Sequence, residues 1–103
     1  MITAYNVVRF RVKPGMDQQF VEGQRKSMEA PLAGFLGGGL VKTGDGTYCF
    51  IGHWENMDRL ANARPQMISF LNDVRHTLDD LGNGLGVTDP VSGETVVELP
   101  ATA

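Results

Sequence analysis

Residues 47–56 read TYCFIGHWEN and mark the point where a strand pattern gives way to a helix pattern. Up to Trp54 the side chains alternate between two faces, which is typical of a strand in a sheet. Tyr48, Phe50 and Trp54 share one of those faces. Asn56 then supplies the kind of side chain that caps the start of a helix.

The segments before this strand predict two more strands. Residues 40–43, LVKT, are joined to it by Gly44-Asp45-Gly46, and the combination indicates a hairpin. Residues 5–12, YNVVRFRV, alternate well enough to form the first strand. The run Gly37-Gly38-Gly39 is interpreted as part of the link that precedes the second strand.

The helices and the tail complete the order of elements. A first helix is predicted over residues 16–28 and a short one over residues 56–63. Pro65 is expected to interrupt, because the residue before a proline resists helical geometry. A longer helix is expected over residues 66–81, and residues 87–99 are interpreted as a strand or a ragged hairpin.

This order is β-α-β-β-α-β, the ferredoxin-like plan of the α+β class, in which helices cover one face of a single antiparallel sheet. The uncovered face would carry Val7, Cys49 and Ile51, which is too much apolar surface to leave in water. A second copy of the sheet would cover it, so we expect a homodimer that associates through this face.

The size and charge of the chain limit the classes of function that it can have. The chain has 103 residues, which predicts a single domain over residues 1–103. Its net charge of −3 argues against nucleic acid as a partner, because phosphate binding needs a basic surface. The sequence has no signal-peptide pattern and no apolar stretch that could span a bilayer, so we expect no membrane association and a cytoplasmic location.

Two motifs carry a resemblance to a known family. Residues 8–20, VRFRVKPGMDQQF, join a strand to a helix with an early Phe20, and Trp54-Glu55 closes the third strand. Together with the helix that follows, these features resemble the antibiotic biosynthesis monooxygenase group of the dimeric α/β-barrel superfamily. The resemblance covers most of residues 5–81.

The resemblance implies two ferredoxin-like subunits with their sheets face to face and a cavity between each sheet and its helices. It implies a cofactor-independent monooxygenase that acts on a small aromatic or polyketide-like substrate, with no metal or flavin. Some relatives degrade haem and others have no established activity. A non-catalytic dimer that binds a small hydrophobic molecule or haem is therefore the alternative, since a shared fold does not decide the reaction.

Asn6 and Trp54 are the candidate catalytic residues. In the oxygenases that this chain resembles, an asparagine of the first strand and the tryptophan of the third strand lie near the substrate. Asn6 falls on the same face of its strand as Val8 and Phe10, so it could share the helix-covered side with Trp54. The structural alternative is that Trp54 closes the core and Asn6 is a polar group at a strand end.

The candidate substrate-binding residues come from the same face of the sheet and from the inward sides of both helices. They are Phe10, Phe20, Gly23, Ser27, Tyr48, Phe50 and Phe70. Gly23 and Ser27 fall within about 60° of Phe20 on a helical wheel, and their small size could leave a cavity opposite Trp54. Close contact between the helix and the sheet at Gly23 is the competing explanation.

The two histidines are not assigned to the site. His76 lies opposite the apolar stripe of its helix, among acidic residues, which favours a surface position. His53 faces away from Trp54, toward the expected dimer interior. Two histidines on different elements, without metal-ligand spacing, do not make a metal site.

Overall fold

The computed structural model describes residues 2–100, so residues 1 and 101–103 of the predicted domain lie outside the described residues. The elements are β1 (Ala4–Val12), α1 (Asp17–Ser27), β2 (Phe35–Gly44), β3 (Thr47–Trp54), α2 (Met57–Val74), a 3₁₀ turn (Arg75–Thr77), β4 (Leu78–Asp79) and β5 (Asp89–Glu94). Both helices cover one face of one antiparallel sheet. The predicted α+β, ferredoxin-like class is confirmed.

The sheet has the order β2-β3-β1-β4, and β5 also pairs with β1. The fourth position of the expected sheet is thus shared by two strands: β4 pairs with the end of β1 and β5 with the rest. Asn6 in β1 lies opposite Gly52 of β3 on one side and opposite Ser92 of β5 on the other. This register places Asn6 in the middle of the sheet rather than at a strand end.

The core lies between the sheet and the helices, on the face that the alternation predicts. Its first cluster contains Phe10, Val12, Phe20, Tyr48, Phe50, Val74 and Leu78. A second cluster, formed by Ala4, Trp54, Leu60 and Ala63, closes the other end. Phe35 and Trp54 contact each other edge to face, with 5.0 Å between their centroids, whereas Phe35 and Phe50 are stacked.

Helix α2 differs from its prediction because it runs without a break through Pro65. A proline inside a helix removes one hydrogen bond and costs about 3 kcal/mol. Leu60 and Ala63 before the proline and Val74 after it are all buried, and their packing offsets that cost. The helix ends at Val74 rather than at residue 81. Asn56 caps its start as predicted, accepting a hydrogen bond from the Arg59 amide over 2.8 Å.

The three glycines that were interpreted as a link are part of strand β2, which begins at Phe35. Gly38 lies opposite Gly52 of β3, and a Cβ atom at Gly38 would collide with the carbonyl oxygen of Ile51. Glycine is required there by this close approach of two backbones. A register shift between Phe35 and Gly37 marks the irregular start of the strand.

The face of the sheet that the helices leave open carries apolar side chains, as the alternation predicts. Tyr5, Val41, Ile51 and Val91 are between 37% and 62% exposed on this face. Within residues 2–100, neither helix is long and apolar enough to cross a membrane.

Candidate functional site

A half-open cavity of about 430 Å³ lies between the sheet and the helices. Its main apolar lining residues are Val8, Phe10, Phe50, Met67, Phe70 and Leu71. Residues of β5 form the remaining side of the mouth. A space of this size, with a mostly apolar wall, suits a small aromatic molecule.

Asn6 contributes the central polar group of the cavity wall. Its carboxamide oxygen accepts a hydrogen bond from the indole N–H of Trp54 over 2.8 Å. Because the indole nitrogen can only donate, the atom that faces Trp54 must be the oxygen of the carboxamide. The amide group of Asn6 is therefore fixed in one orientation.

The amide nitrogen of Asn6 is left with a weak partner. Among residues 2–100 its only side-chain contact as a donor is to the sulfur of Met67, at 3.9 Å, and a thioether is a poor acceptor. Asn6 lines the cavity and is only 5% exposed. A ligand oxygen inside the cavity can therefore receive an N–H from Asn6 that the protein itself uses poorly.

Trp54 acts behind the cavity wall rather than on it. Its side chain is fully buried in the second core cluster and is outside the cavity lining. The indole therefore holds the Asn6 carboxamide in place and does not itself border this cavity. The expected proximity of the two residues is present, and of the two only Asn6 lines the cavity.

Gly52 belongs to this arrangement and was not recognised in the sequence. It lies directly opposite Asn6, and a Cβ atom there would collide with the carboxamide oxygen of Asn6 and come within 2.9 Å of the Trp54 indole nitrogen. Only a glycine leaves room for the hydrogen bond between the two side chains. The signal was a glycine inside an otherwise strongly apolar strand, which often marks a close approach.

A second polar group stands at the mouth of the cavity. Arg64 of α2 donates a hydrogen bond from Nη2 to the hydroxyl of Ser92 in β5, over 3.3 Å. Gln24 and Thr88 also reach the lining. Among the described residues, the lining contains no carboxylate and no imidazole, so it offers hydrogen-bond donors but no evident general base.

The predicted substrate-binding residues fall into two groups. Phe10, Phe50 and Phe70 line the cavity. Phe20, Ser27, Gly23 and Tyr48 lie outside its lining. Phe20 is fully buried and Ser27 is 9% exposed, so both are part of the packing under helix α1.

Gly23 does not open a cavity opposite Trp54. A Cβ atom at this position would overlap with Cγ1 of Val74, a core residue at the end of α2. The missing side chain thus lets the two helices approach closely, whereas the competing explanation was close contact between the helix and the sheet. The helical wheel identified an inward-facing small residue but could not show what fills the space.

Tyr48 connects strand β3 to the start of α1. Its ring packs against Phe20, with 5.2 Å between centroids, and its hydroxyl donates a hydrogen bond to Asp17 Oδ2 over 2.6 Å. This hydrogen bond, followed by burial and the negative charge of Asp17, raises the pKa of Tyr48. Tyr48 also borders a separate groove of about 760 Å³ between α1 and β2, together with Phe50.

The histidines lie away from the cavity. His53 stacks on Tyr5 on the open face, with ring centroids 4.3 Å apart, and its Nε2 lies 3.5 Å from Glu98 without a hydrogen-bonding geometry. His76 is exposed, which confirms its predicted surface position. In the described part of the chain, no three His, Cys, Asp or Glu side chains come together as metal ligands would.

The fold and the cavity together define an α+β protein of the ferredoxin-like kind with a ligand-sized space under its helices. Solved structures of the same fold include that of NE2512, a protein of unknown function from Nitrosomonas europaea. The two sequences are 19% identical over 99% of this chain and 98% of that one, with a TM-score of 0.74.

A mutant of SnoaB, a cofactor-independent oxygenase from Streptomyces nogalater, is 18% identical and also has a TM-score of 0.74, covering 96% of this chain and 98% of SnoaB. Another Nitrosomonas europaea protein, provisionally named an antibiotic biosynthesis monooxygenase, has a TM-score of 0.70 at 13% identity, covering 91% of this chain and 90% of that one. No protein-family model and no curated protein matches the sequence. The predicted resemblance to antibiotic biosynthesis monooxygenases is confirmed at the level of the fold.

Proposed function

We propose that this protein is a cofactor-independent monooxygenase whose substrate is a small aromatic or polyketide-like molecule bound in the cavity beside Asn6. The observation that carries the proposal is the orientation of Asn6. Its oxygen is held by Trp54 at 2.8 Å, and its amide nitrogen has a weak partner, the Met67 sulfur at 3.9 Å, that a ligand oxygen can replace. The shared fold with SnoaB supports the same reaction class.

The chemistry requires a substrate with an acidic C–H group next to phenolic rings. Once such a substrate is deprotonated, it can pass one electron to dioxygen and combine with the resulting superoxide to give a peroxide anion. This anion takes up a proton from water and becomes a hydroperoxide. Loss of water then leaves a carbonyl, so the net change is CH₂ plus O₂ to C=O plus H₂O. The substrate supplies every electron that this change needs.

The protein would act on the first step of this sequence. The N–H of Asn6 stabilises the oxyanion of the deprotonated substrate, and the apolar walls exclude most water and strengthen that hydrogen bond. With no carboxylate or imidazole in the described lining, the proton leaves to water through the open mouth. Trp54 keeps the donor aimed at the substrate.

Oxygen uptake with anthrone and its hydroxylated derivatives tests this proposal. Wild-type protein should consume oxygen above the buffer rate and yield one quinone for each dioxygen. Asn6→Asp keeps an acceptor for the Trp54 indole but removes the N–H donor, and we expect the rate to fall about a hundredfold, as for loss of one oxyanion donor. Uptake at the buffer rate with every substrate would contradict the oxygenase proposal.

The same cavity also supports a binding role without turnover, and the lack of an acid–base residue in its described lining favours this second candidate. Binding of an anthrone without oxygen uptake would establish it. Both histidines lie outside the lining, so the cavity offers haem no imidazole ligand, and haem binding is not part of the proposal.

We further propose that the protein is a homodimer that associates through its open sheet face. Tyr5, Val41, Ile51 and Val91 are exposed apolar side chains on four neighbouring strands, β1, β2, β3 and β5. Contact with a second copy would remove these side chains from water at about 25 cal/mol per Å² of apolar area.

A further inference from the structure

Arg64 is the only cation on the described part of the cavity lining, and its position is set by two elements. It projects from α2 across the mouth to Ser92 of β5, to which its Nη2 donates over 3.3 Å. Ser92 lies directly opposite Asn6 in the pairing of β5 with β1. The guanidinium is therefore bonded to the residue that is paired with Asn6, the central polar group of the cavity.

Within residues 2–100, no carboxylate neutralises the charge of Arg64. Arg9, Arg25 and Arg59 each lie within 3.8 Å of a carboxylate oxygen. Arg64 has no carboxylate at ion-pair distance within residues 2–100, and it donates its hydrogen bond to the hydroxyl of Ser92. A guanidinium has five N–H donors and matches an acidic group with two oxygens, so most of its binding capacity remains available.

Arg64 lies at the boundary between the apolar wall of the cavity and its exposed mouth. The wall beside it is formed by Met67, Phe70 and Leu71, while the guanidinium itself remains at the exposed mouth. A ligand that places its ring against the wall would bring a substituent to Arg64. An acidic substituent at that point would stay partly hydrated, and a neutral one would gain nothing from the charge.

We propose that the ligand of this cavity is an aromatic compound that carries an acidic group, and that Arg64 selects it by binding that group. The inference rests on the proposed function, because it assumes that the cavity holds an aromatic ligand. Arg64 is thus a specificity residue at the mouth, and Asn6 acts on the reacting part of the same molecule.

Two fluorescent probes with the same aromatic frame test this inference. 8-Anilinonaphthalene-1-sulfonate carries an acidic group, and N-phenyl-1-naphthylamine is its neutral counterpart. Wild-type protein should bind the sulfonate more tightly than the neutral probe. Arg64→Gln should weaken sulfonate binding about fivefold, the scale of a partly exposed ion pair, and leave neutral-probe binding within a factor of about two.

Two further variants complete the experiment. Arg64→Lys keeps the charge but loses the planar pair of donors, so it should retain part of the preference for the sulfonate. Arg59→Gln removes an exposed cation from the same helix outside the cavity lining, and it should change neither affinity. Circular dichroism would show that each variant keeps its helix content.

The outcomes separate this inference from the function on which it rests. Equal binding of both probes by wild-type protein overturns the role of Arg64 and keeps the ligand cavity. The same conclusion follows if Arg64→Gln leaves the affinity for the sulfonate unchanged, or if it lowers the affinity for both probes equally. Failure of wild-type protein to bind either probe contradicts the ligand cavity itself, and the inference falls with it.

Discussion

The indole N–H of Trp54 and the carboxamide oxygen of Asn6 are joined by a hydrogen bond of 2.8 Å that crosses from strand β3 to strand β1. Both side chains are almost fully buried, with exposed fractions of 0% for Trp54 and 5% for Asn6. A buried donor that loses its acceptor costs about 1–3 kcal/mol, so the pair is held in place strongly. The same bond orients the one side chain that we assign to substrate chemistry.

Gly52→Ala should break this bond without touching either partner. The new Cβ atom would overlap with the Asn6 oxygen, so the carboxamide must turn away and leave the Trp54 N–H without its acceptor. We expect the free energy of unfolding in urea to fall by about 2 kcal/mol. Because the sequence has a single tryptophan, its indole N–H resonance is unique and should shift upfield.

Gly93→Ala is the matched control for this substitution. Gly93 also lies in a strand that pairs with β1, and a Cβ atom there would meet nothing within 4 Å. Alanine in a strand is otherwise slightly more stable than glycine, by about 0.5–1 kcal/mol. An equal change of stability in the two variants, with an unmoved indole resonance, would show that Gly52 does not protect the hydrogen bond.

Tyr48 makes the stability of the protein depend on alkaline pH. Its pKa is raised in the folded state, chiefly by the hydrogen bond to Asp17, so the folded state holds the phenolic proton more tightly than the unfolded state. The resulting contribution to the free energy of unfolding is fully present below the ordinary tyrosine pKa of about 10. It is lost as the pH rises through the raised pKa.

Tyr48→Phe should therefore be less stable than wild type at neutral pH, and the difference should shrink above about pH 10. Urea denaturation followed by Trp54 fluorescence at a series of pH values measures this. Tyr5→Phe is the control, because Tyr5 lies on the open face, and it should retain the alkaline loss of stability. A constant difference between Tyr48→Phe and wild type across the pH range would contradict the role of the Asp17 hydrogen bond.

Ile51→Glu should convert the proposed dimer into monomers. Ile51 is 38% exposed and points from the centre of the open face, so the change leaves the core of one subunit intact. In a dimer the new carboxylates would be buried close to each other, at a cost of several kcal/mol. Light scattering should give twice the 11.2 kDa chain mass for wild type and once that mass for the variant.

The control for the dimer is Leu85→Glu, which places the same charge on an exposed residue of the loop before β5. This variant should remain a dimer. A wild-type protein that scatters as a monomer at micromolar concentration would contradict the proposed association.

Local patterns predicted the elements that follow local rules. The alternation in residues 5–12 and 47–54 and the cap at Asn56 correspond closely to β1, β3 and the start of α2. Pro65 and the glycine run misled the prediction, because their local preferences were overridden by packing and by strand pairing. Neither effect can be read from neighbouring residues alone.

In the candidate site, too, local patterns predicted some features, while others depend on strand register. Alternation placed Asn6 and Trp54 on one face of the sheet, and the structure agrees. Their hydrogen bond depends on the register that sets Asn6 opposite Gly52, which is a contact between residues 46 positions apart in the chain. Arg64 was missed because its hydrogen bond to Ser92 depends on where β5 pairs with β1, which no pattern in α2 reports.

Gly23→Ala tests the close approach of the two helices. Alanine in a helix is favoured over glycine by about 1 kcal/mol, so an open site would make the variant more stable. Here the Cβ atom would overlap with Val74 in the core, and overpacking of this kind costs about 1–3 kcal/mol. We expect Gly23→Ala to be less stable than wild type by about 1 kcal/mol in urea denaturation.

The double variant with Val74→Ala decides the cause. Val74→Ala alone should destabilise by leaving a gap in the core, and it should also remove the atom that Gly23→Ala would strike. The two changes should therefore compensate, with a favourable interaction energy of at least 0.5 kcal/mol in the cycle. Strict additivity, or a single Gly23→Ala variant that is more stable than wild type, would mean that the helices have room between them and that the glycine could still serve a cavity.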